Sequence, residues 1–97
     1  MNNFLSAEQI GQFKDDGATL IKGKFDREWL EKLREGISKD IQNPSPRFVR
    51  HTKDDVAPGY YEDFWTWDLF DEFKDFIHNS PAAKIASELL DANQINL

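Results

Sequence analysis

The sequence contains no cysteine, only two histidines and no long apolar run. Without cysteine there are no disulfide bonds and no thiolate chemistry, which suits a reducing compartment. No apolar run approaches the roughly 20 residues that a membrane-spanning helix needs. The first residues, MNNFLSAEQ, lack the basic and apolar regions of a secretory signal peptide. We therefore expect a cytoplasmic protein without a membrane segment.

Acidic side chains outnumber basic ones, 18 to 12, which gives a net charge of −6. Because an acidic surface repels a phosphate backbone, we expect no nucleic-acid partner. The densest basic patch, Arg47, Arg50 and Lys53 with His51 among them, is large enough for one anionic group only. With 39% apolar residues in 97, the chain is too apolar for a disordered tail, and its length limits it to one domain.

Two helices have clear start and stop signals. Ser6 is a capping residue with Gln9 three positions later, which predicts a helix over Ala7–Asp16 that ends before a glycine. Asp26 begins a second helix, and Pro44 ends it. Its apolar residues recur every three or four positions and form one stripe: Trp29, Leu30, Leu33, Ile37 and Ile41.

The remaining elements are shorter. A helical period begins near Asp68, and Ser80 followed by proline predicts the start of a fourth helix. We predict short extended segments at 18–22, 60–67 and 94–97. The predicted fold class is therefore α+β and helix-rich, with about four helices and short strands.

Residues 43–59 are predicted to form a loop, since they contain three prolines, a pair of aspartates and a Pro-Gly step. Residues 60–76 follow, with eight of the thirteen aromatic side chains. Phe70, Phe73 and Phe76 fall on one helical face and are predicted to pack inward. The tyrosines and tryptophans before them combine an apolar ring with a polar group, so we predict that they form a partly solvated wall.

No pattern identifies a catalytic or metal site. His51, Asp54 and His78 have no spacing that forces them onto one metal ion. The sequence contains neither a G-x-S-x-G nucleophile motif nor a glycine-rich phosphate loop. From the residues alone, the chain is a helix-rich domain without a recognisable active site.

As a set, however, the residues resemble a known family. The segment FLSAEQIGQFKDDGATLIKGKFDREWLEKLREGI is similar to the opening of the phytanoyl-CoA dioxygenase family, and the resemblance continues through NPSPRFVRH, GYYEDFWTW and EFKDFIHNSPAAKIASELLD. No single motif is diagnostic, but order and spacing match together. The matching positions of the opening are Phe13, Asp16, Gly17, Leu20, Ile21, Gly23, Phe25 and Trp29.

The resemblance implies an iron(II)- and 2-oxoglutarate-dependent oxygenase that hydroxylates a small organic substrate on a double-stranded β-helix, or jelly roll. In that family the iron ligands and the 2-oxoglutarate-binding arginine follow a strand similar to residues 95–97. The resemblance therefore assigns no catalytic, metal or cofactor residue to this chain. It implies that 1–97 is a single incomplete domain, the helical front of a longer parent whose barrel is mostly missing.

Three hypotheses follow. In the first, the chain packs on the barrel of such an oxygenase, and part of it forms one wall of the substrate entrance; the alternative for each wall residue is a scaffold role. In the second, it is a complete acidic interaction module that binds a partner or itself through an exposed aromatic patch. In the third, it is a small enzyme that uses His51 and nearby acids. The candidate wall residues are Arg47, Arg50, His51, Tyr60, Tyr61, Phe64 and Trp65.

Overall fold

The computed structural model describes residues 3–97 as four helices and one two-stranded antiparallel sheet. The sheet lies between two helix pairs in chain order. The prediction of a small, helix-rich α+β chain is confirmed. The elements are α1 (Ala7–Asp16), α2 (Arg27–Gln42), β1 (Val49–Arg50), β2 (Tyr61–Glu62), α3 (Asp71–Asn79) and α4 (Ala82–Leu90).

The first two helices begin where their capping residues predict. The Gln9 amide donates to the Ser6 hydroxyl at 3.1 Å, and the Ser6 amide donates to the Gln9 side chain at 2.9 Å. After α1 the chain turns at Gly17 with φ of 78°, a left-handed conformation that glycine adopts without steric cost. In α2 the Asp26 carboxylate accepts from the Trp29 amide at 3.2 Å.

The predicted strands are mostly wrong. Residues 18–22 and 94–97 have no regular structure, and within 60–67 only Tyr61–Glu62 is a strand. The predicted loop 43–59 contains its partner, Val49–Arg50. A strand is stable only when a neighbour pairs its amides and carbonyls, and residues 3–97 supply such a neighbour at one place.

The junction between α3 and α4 is a sharp turn at Ser80. The Ala82 amide donates to the Ser80 hydroxyl at 3.2 Å, and Pro81 already has helical angles, as the sequence predicted. Helix α3 begins three residues later than predicted, at Asp71. The chain before it turns, with the Leu69 amide donating to the Thr66 carbonyl at 3.0 Å.

Helices α2 and α3 pack at Gly36, the one buried residue of α2. A Cβ atom at this position would lie 2.7 Å from the Phe73 ring and 3.1 Å from the Glu72 Cβ, so only glycine allows this approach. The buried Glu72 carboxylate accepts a hydrogen bond from Lys39 at 2.7 Å. This charge-assisted bond raises the pKa of Lys39 and lowers that of Glu72.

The aromatic residues of α3 pack as the helical stripe predicted, although none is fully buried. Phe76 stacks on Phe25 with ring centroids 5.4 Å apart and meets the edge of Trp29 at 5.9 Å. Phe73 meets Phe70 edge to face at 5.8 Å. These rings are shared between α2, α3 and the segment before α2.

Helices α1 and α4 also pack together, and the N-terminal segment joins them. The Glu88 carboxylate of α4 accepts hydrogen bonds from the amides of Phe4 and Leu5, both at 2.9 Å. Lys24 donates to the Phe4 carbonyl at 2.9 Å and lies over the Phe4 ring at 4.3 Å. Leu5, whose amide binds α4 in this way, is buried, with 3% of its surface exposed.

The chain is elongated and exposes much apolar surface. Its extents are 50 × 26 × 25 Å and its radius of gyration is 16.4 Å, against about 13 Å for a compact 100-residue domain. Its accessible surface of 7716 Å² exceeds by roughly 2,000 Å² the value expected for a compact protein of 11.3 kDa. Within residues 3–97, Leu5 is the one buried hydrophobic side chain, and thirteen large ones are exposed. No helix described there has the length and apolar character to cross a bilayer.

Candidate binding surface

All seven candidate wall residues lie on or beside the β1–β2 hairpin. Val49 pairs with Glu62, and Arg50 with Tyr61, so the strands bring the two halves of the set together. The pairing extends one residue further, where the His51 amide donates to the Tyr60 carbonyl at 2.8 Å. We refer to residues 45–65 as the hairpin region. The structure thus gathers residues that the sequence places up to 18 positions apart.

Arg50 organises the loop between the strands. Its guanidinium donates to the Thr52, Lys53 and Val56 carbonyls at 2.9–3.1 Å and to the Tyr61 hydroxyl at 2.5 Å. These four bonds use most of its N–H groups. Its capacity to bind an external anion, which the basic patch suggested, is correspondingly small.

Arg47 holds the backbone that presents Trp65. Its side chain donates to the Phe64 carbonyl at 2.9 Å and to the Trp65 carbonyl at 3.2 Å, and lies over the indole ring at 5.5 Å. Trp65 has φ of 52°, a conformation that costs free energy for a bulky side chain. With 77% of its surface exposed, the ring borders an open hollow of about 250 Å³ with Phe64 and Arg47.

His51 forms the polar edge of the same surface. Its Nε2 lies 2.7 Å from a Glu62 carboxylate oxygen on the opposite strand, and its ring is 5.1 Å from that of Tyr60. Both members of the pair are more than two fifths exposed. Such an exposed pair adds little to stability.

A cavity of about 410 Å³ separates the hairpin region from α2. It contains a feature that the sequence analysis did not identify, a pair of carboxyl groups on Asp40 and Asp63. Burial, reinforced by Asp63, raises the pKa of Asp40 from 3.8 to about 6. Burial alone would raise the pKa of Asp63 as well, but hydrogen bonds from Asp40, Ser45 and the Phe64 amide lower it to about 2. The lining residues are Ile37, Asp40, Ile41, Phe48, Gly59, Tyr60, Tyr61, Glu62 and Asp63.

A second, more apolar cavity of about 500 Å³ lies where α3 and α4 meet the last residues of the chain. Trp67, Ile77 and His78 form one side, and Ile95 and Leu97 the other. His78 is exposed at the end of α3, with its ring 5.9 Å from that of Trp67. It belongs to a different surface from His51, whose neighbours are Tyr60 and Glu62.

The residues described do not fit an iron site. No group of three histidine and carboxylate side chains in 3–97 is arranged to hold a metal ion. Arg50 gives four N–H groups to partners within the hairpin region, and Arg47 gives two to backbone carbonyls. We therefore derive no catalytic step from these residues.

No protein-family model, curated protein or solved structure matches the chain. The relationship to phytanoyl-CoA dioxygenases that the sequence suggested therefore stays a prediction.

Proposed function

We propose that the chain is the N-terminal helical segment of an iron(II)- and 2-oxoglutarate-dependent oxygenase, whose parent hydroxylates a small organic substrate. In this proposal α2, α3 and the exposed aliphatic side chains cover the outside of a jelly-roll barrel. The iron, its ligands and the 2-oxoglutarate site belong to other residues of that parent. The segment alone is inactive, and the proposal keeps the cytoplasmic location expected from the sequence.

The observation that carries the proposal is the large accessible surface of the chain, which includes thirteen exposed large hydrophobic side chains. A compact domain of this mass would expose roughly 2,000 Å² less than this chain does. That excess is more than twice the roughly 800 Å² that one partner buries in a protein–protein interface of standard size. Residues on α2 contribute to it, with Leu30, Ile37 and Ile41 between 43% and 52% exposed. A helical layer that covers a sheet has this distribution, because one of its faces is meant to be buried.

The first test is to sequence the reading frame after the codon for Leu97. A continuation that supplies an H-x-D pair, a distant histidine and an arginine supports the proposal. The longer protein is then assayed for iron-dependent release of succinate from 2-oxoglutarate. A stop codon directly after Leu97, together with production of the short protein, contradicts it.

The role of the hairpin region as an entrance wall is tested in the same longer protein. We expect Trp65→Ala to raise the substrate KM, since the exposed ring is held in place by Arg47. Lys14→Ala is the matched control, an exposed residue of α1 outside the hairpin region. Unchanged KM and turnover in a folded Trp65→Ala protein would contradict a role for Trp65 in the entrance wall and would favour a scaffold role.

The exposed aromatic rings favour a second candidate function, an interaction module that binds another protein or a second copy of itself. Tyr60, Phe64 and Trp65 are 63%, 49% and 77% exposed and lie on one hairpin region. Aromatic residues are enriched at protein interfaces. Sedimentation at increasing concentration tests self-association, with Trp65→Ser expected to weaken it and Leu20→Ser, equally exposed on another segment, expected to leave it unchanged.

A further inference from the structure

The Asp40–Asp63 pair joins two parts of the fold. Asp40 lies in the last turns of α2, and Asp63 directly follows β2, so any attraction or repulsion between them acts across the cavity. Both side chains line the same cavity, and a hydrogen bond between them is one cause of the opposite changes in their pKa values. Two carboxyl groups can form a hydrogen bond only when one of them carries a proton.

The surroundings assign that proton to Asp40. The Asp63 carboxylate accepts from the Ser45 amide at 3.0 Å, from the Phe64 amide at 2.9 Å and from the Ser45 hydroxyl. These donors stabilise a negative charge. One oxygen of Asp40, Oδ1, is buried and has no hydrogen-bond partner, which favours the neutral form.

The other groups that face Asp40 do not offset its charge. From the hairpin region these are Tyr60, Tyr61 and Glu62, and Glu62 is already paired with His51. Among the residues described, no lysine or arginine lines the cavity. On α3, the helix that packs against α2, Glu72 and Asp75 are paired with Lys39 and Lys32.

We infer that the Asp40–Asp63 carboxyl pair is a pH-sensitive switch that holds the hairpin region against α2 while Asp40 is protonated and releases it when the proton is lost. Loss of the proton replaces a hydrogen bond by repulsion between two half-buried carboxylates. It also places part of the negative charge on the buried Oδ1 of Asp40, which has no hydrogen-bond partner. The switch concerns the fold of this chain and holds whichever function is correct.

The direction and size of the effect follow from the difference between the pKa values of Asp40 in the closed and open arrangements. Asp40 has a pKa of about 6 in the closed arrangement and 3.8 as an ordinary aspartate. Its stabilisation is therefore complete below about pH 3.8 and is lost as the pH rises from there to about 6. A difference of about two pKa units limits the increase in the opening constant to about a hundredfold. Asp63 is ionised in both states above about pH 5 and does not contribute there.

The experiment is a titration of the 97-residue chain, with the Asp40 side-chain carboxyl carbon observed by NMR. A midpoint near pH 6 is expected, and a midpoint near the ordinary 3.8 would overturn the inference. The open fraction is measured in the same samples at about pH 5 and about pH 7.5 from the distance between spin labels attached at Ser38 of α2 and Val49 of β1, both of which are exposed. With pKa values of about 6 and 3.8, we expect the opening constant to increase by about tenfold between the two pH values.

Two variants separate the switch from other titrating groups. Asp40→Asn keeps a neutral donor to Asp63 at every pH, so opening of the hairpin region should no longer depend on pH. Because histidines also change charge between about pH 5 and 8, His51→Gln is the matched control and should retain the pH dependence. The same pH dependence in Asp40→Asn as in the wild type, or its loss in His51→Gln, would contradict the assignment.

Discussion

Replacing either helical glycine by alanine tests the close contact between α2 and α3. Gly11 in α1 and Gly36 in α2 are both in helix interiors, where alanine is favoured by about 1 kcal/mol. A Cβ at Gly11 meets nothing within 4 Å, whereas one at Gly36 would lie 2.7 Å from the Phe73 ring. Overpacking of this kind costs about 1–3 kcal/mol. We therefore expect Gly11→Ala to stabilise the protein and Gly36→Ala to be neutral or to destabilise it by up to about 2 kcal/mol.

The assay is urea unfolding followed by tryptophan fluorescence, since Trp29 lies in the aromatic cluster beside this contact. Circular dichroism gives a second probe, and in a domain of this size 1 kcal/mol shifts the melting temperature by about 4–8 °C. The difference between the two variants removes the propensity gain that they share. Equal stabilisation by both would refute the reasoning, because it would mean that the Phe73 ring moves away without cost.

Three further predictions concern the cap of α1, the buried carboxylate and the loop. Ser6→Ala should lower the free energy of unfolding by about 1 kcal/mol, measured by urea titration, because it removes the acceptor for an α1 amide. Hydrogen bonding to Lys39 lowers the pKa of Glu72, so its stabilisation is present at neutral pH and is lost as the pH falls through that lowered value. Glu72→Gln should therefore show a smaller fall in melting temperature than the wild type between neutral and acidic pH. Arg50→Lys should speed protease cleavage within residues 52–56, because an ammonium group cannot reproduce four planar contacts; an unchanged cleavage rate would contradict this role.

The helices were predictable because their signals are local. The Ser6–Gln9 capping box and the Asp26 cap act within a few residues, and the structure places both helices where those signals are. Strands were not predictable, because a strand depends on a partner that only the complete fold provides. Residues 18–22 have β-prone side chains but no neighbour among the residues described, and they stay irregular.

The strand pairing brings the seven candidate residues together, but their contacts were not predictable from the sequence. Their role as a binding surface stays a prediction. The sequence gives no sign that Arg50 is occupied by carbonyls of its own loop. The position of Asp40 was visible in the sequence, since it lies three residues after Ile37 and one before Ile41 in an otherwise apolar stripe. A carboxylate in such a stripe indicates a polar partner, which in this structure is Asp63.

The way in which Arg50 holds the loop bears on how freely that loop can change in evolution or in the laboratory. Its loop contacts are to main-chain carbonyls, which every residue type possesses. The side chains of Lys53 and Val56 can therefore vary while the loop keeps its shape. Two side chains are exceptions, because the Thr52 hydroxyl accepts from the Tyr60 amide at 3.1 Å and an Asp54 carboxylate oxygen lies 3.7 Å from Arg50 Nε. The loop is thus a suitable place to introduce sequence diversity, on condition that Arg50 is kept.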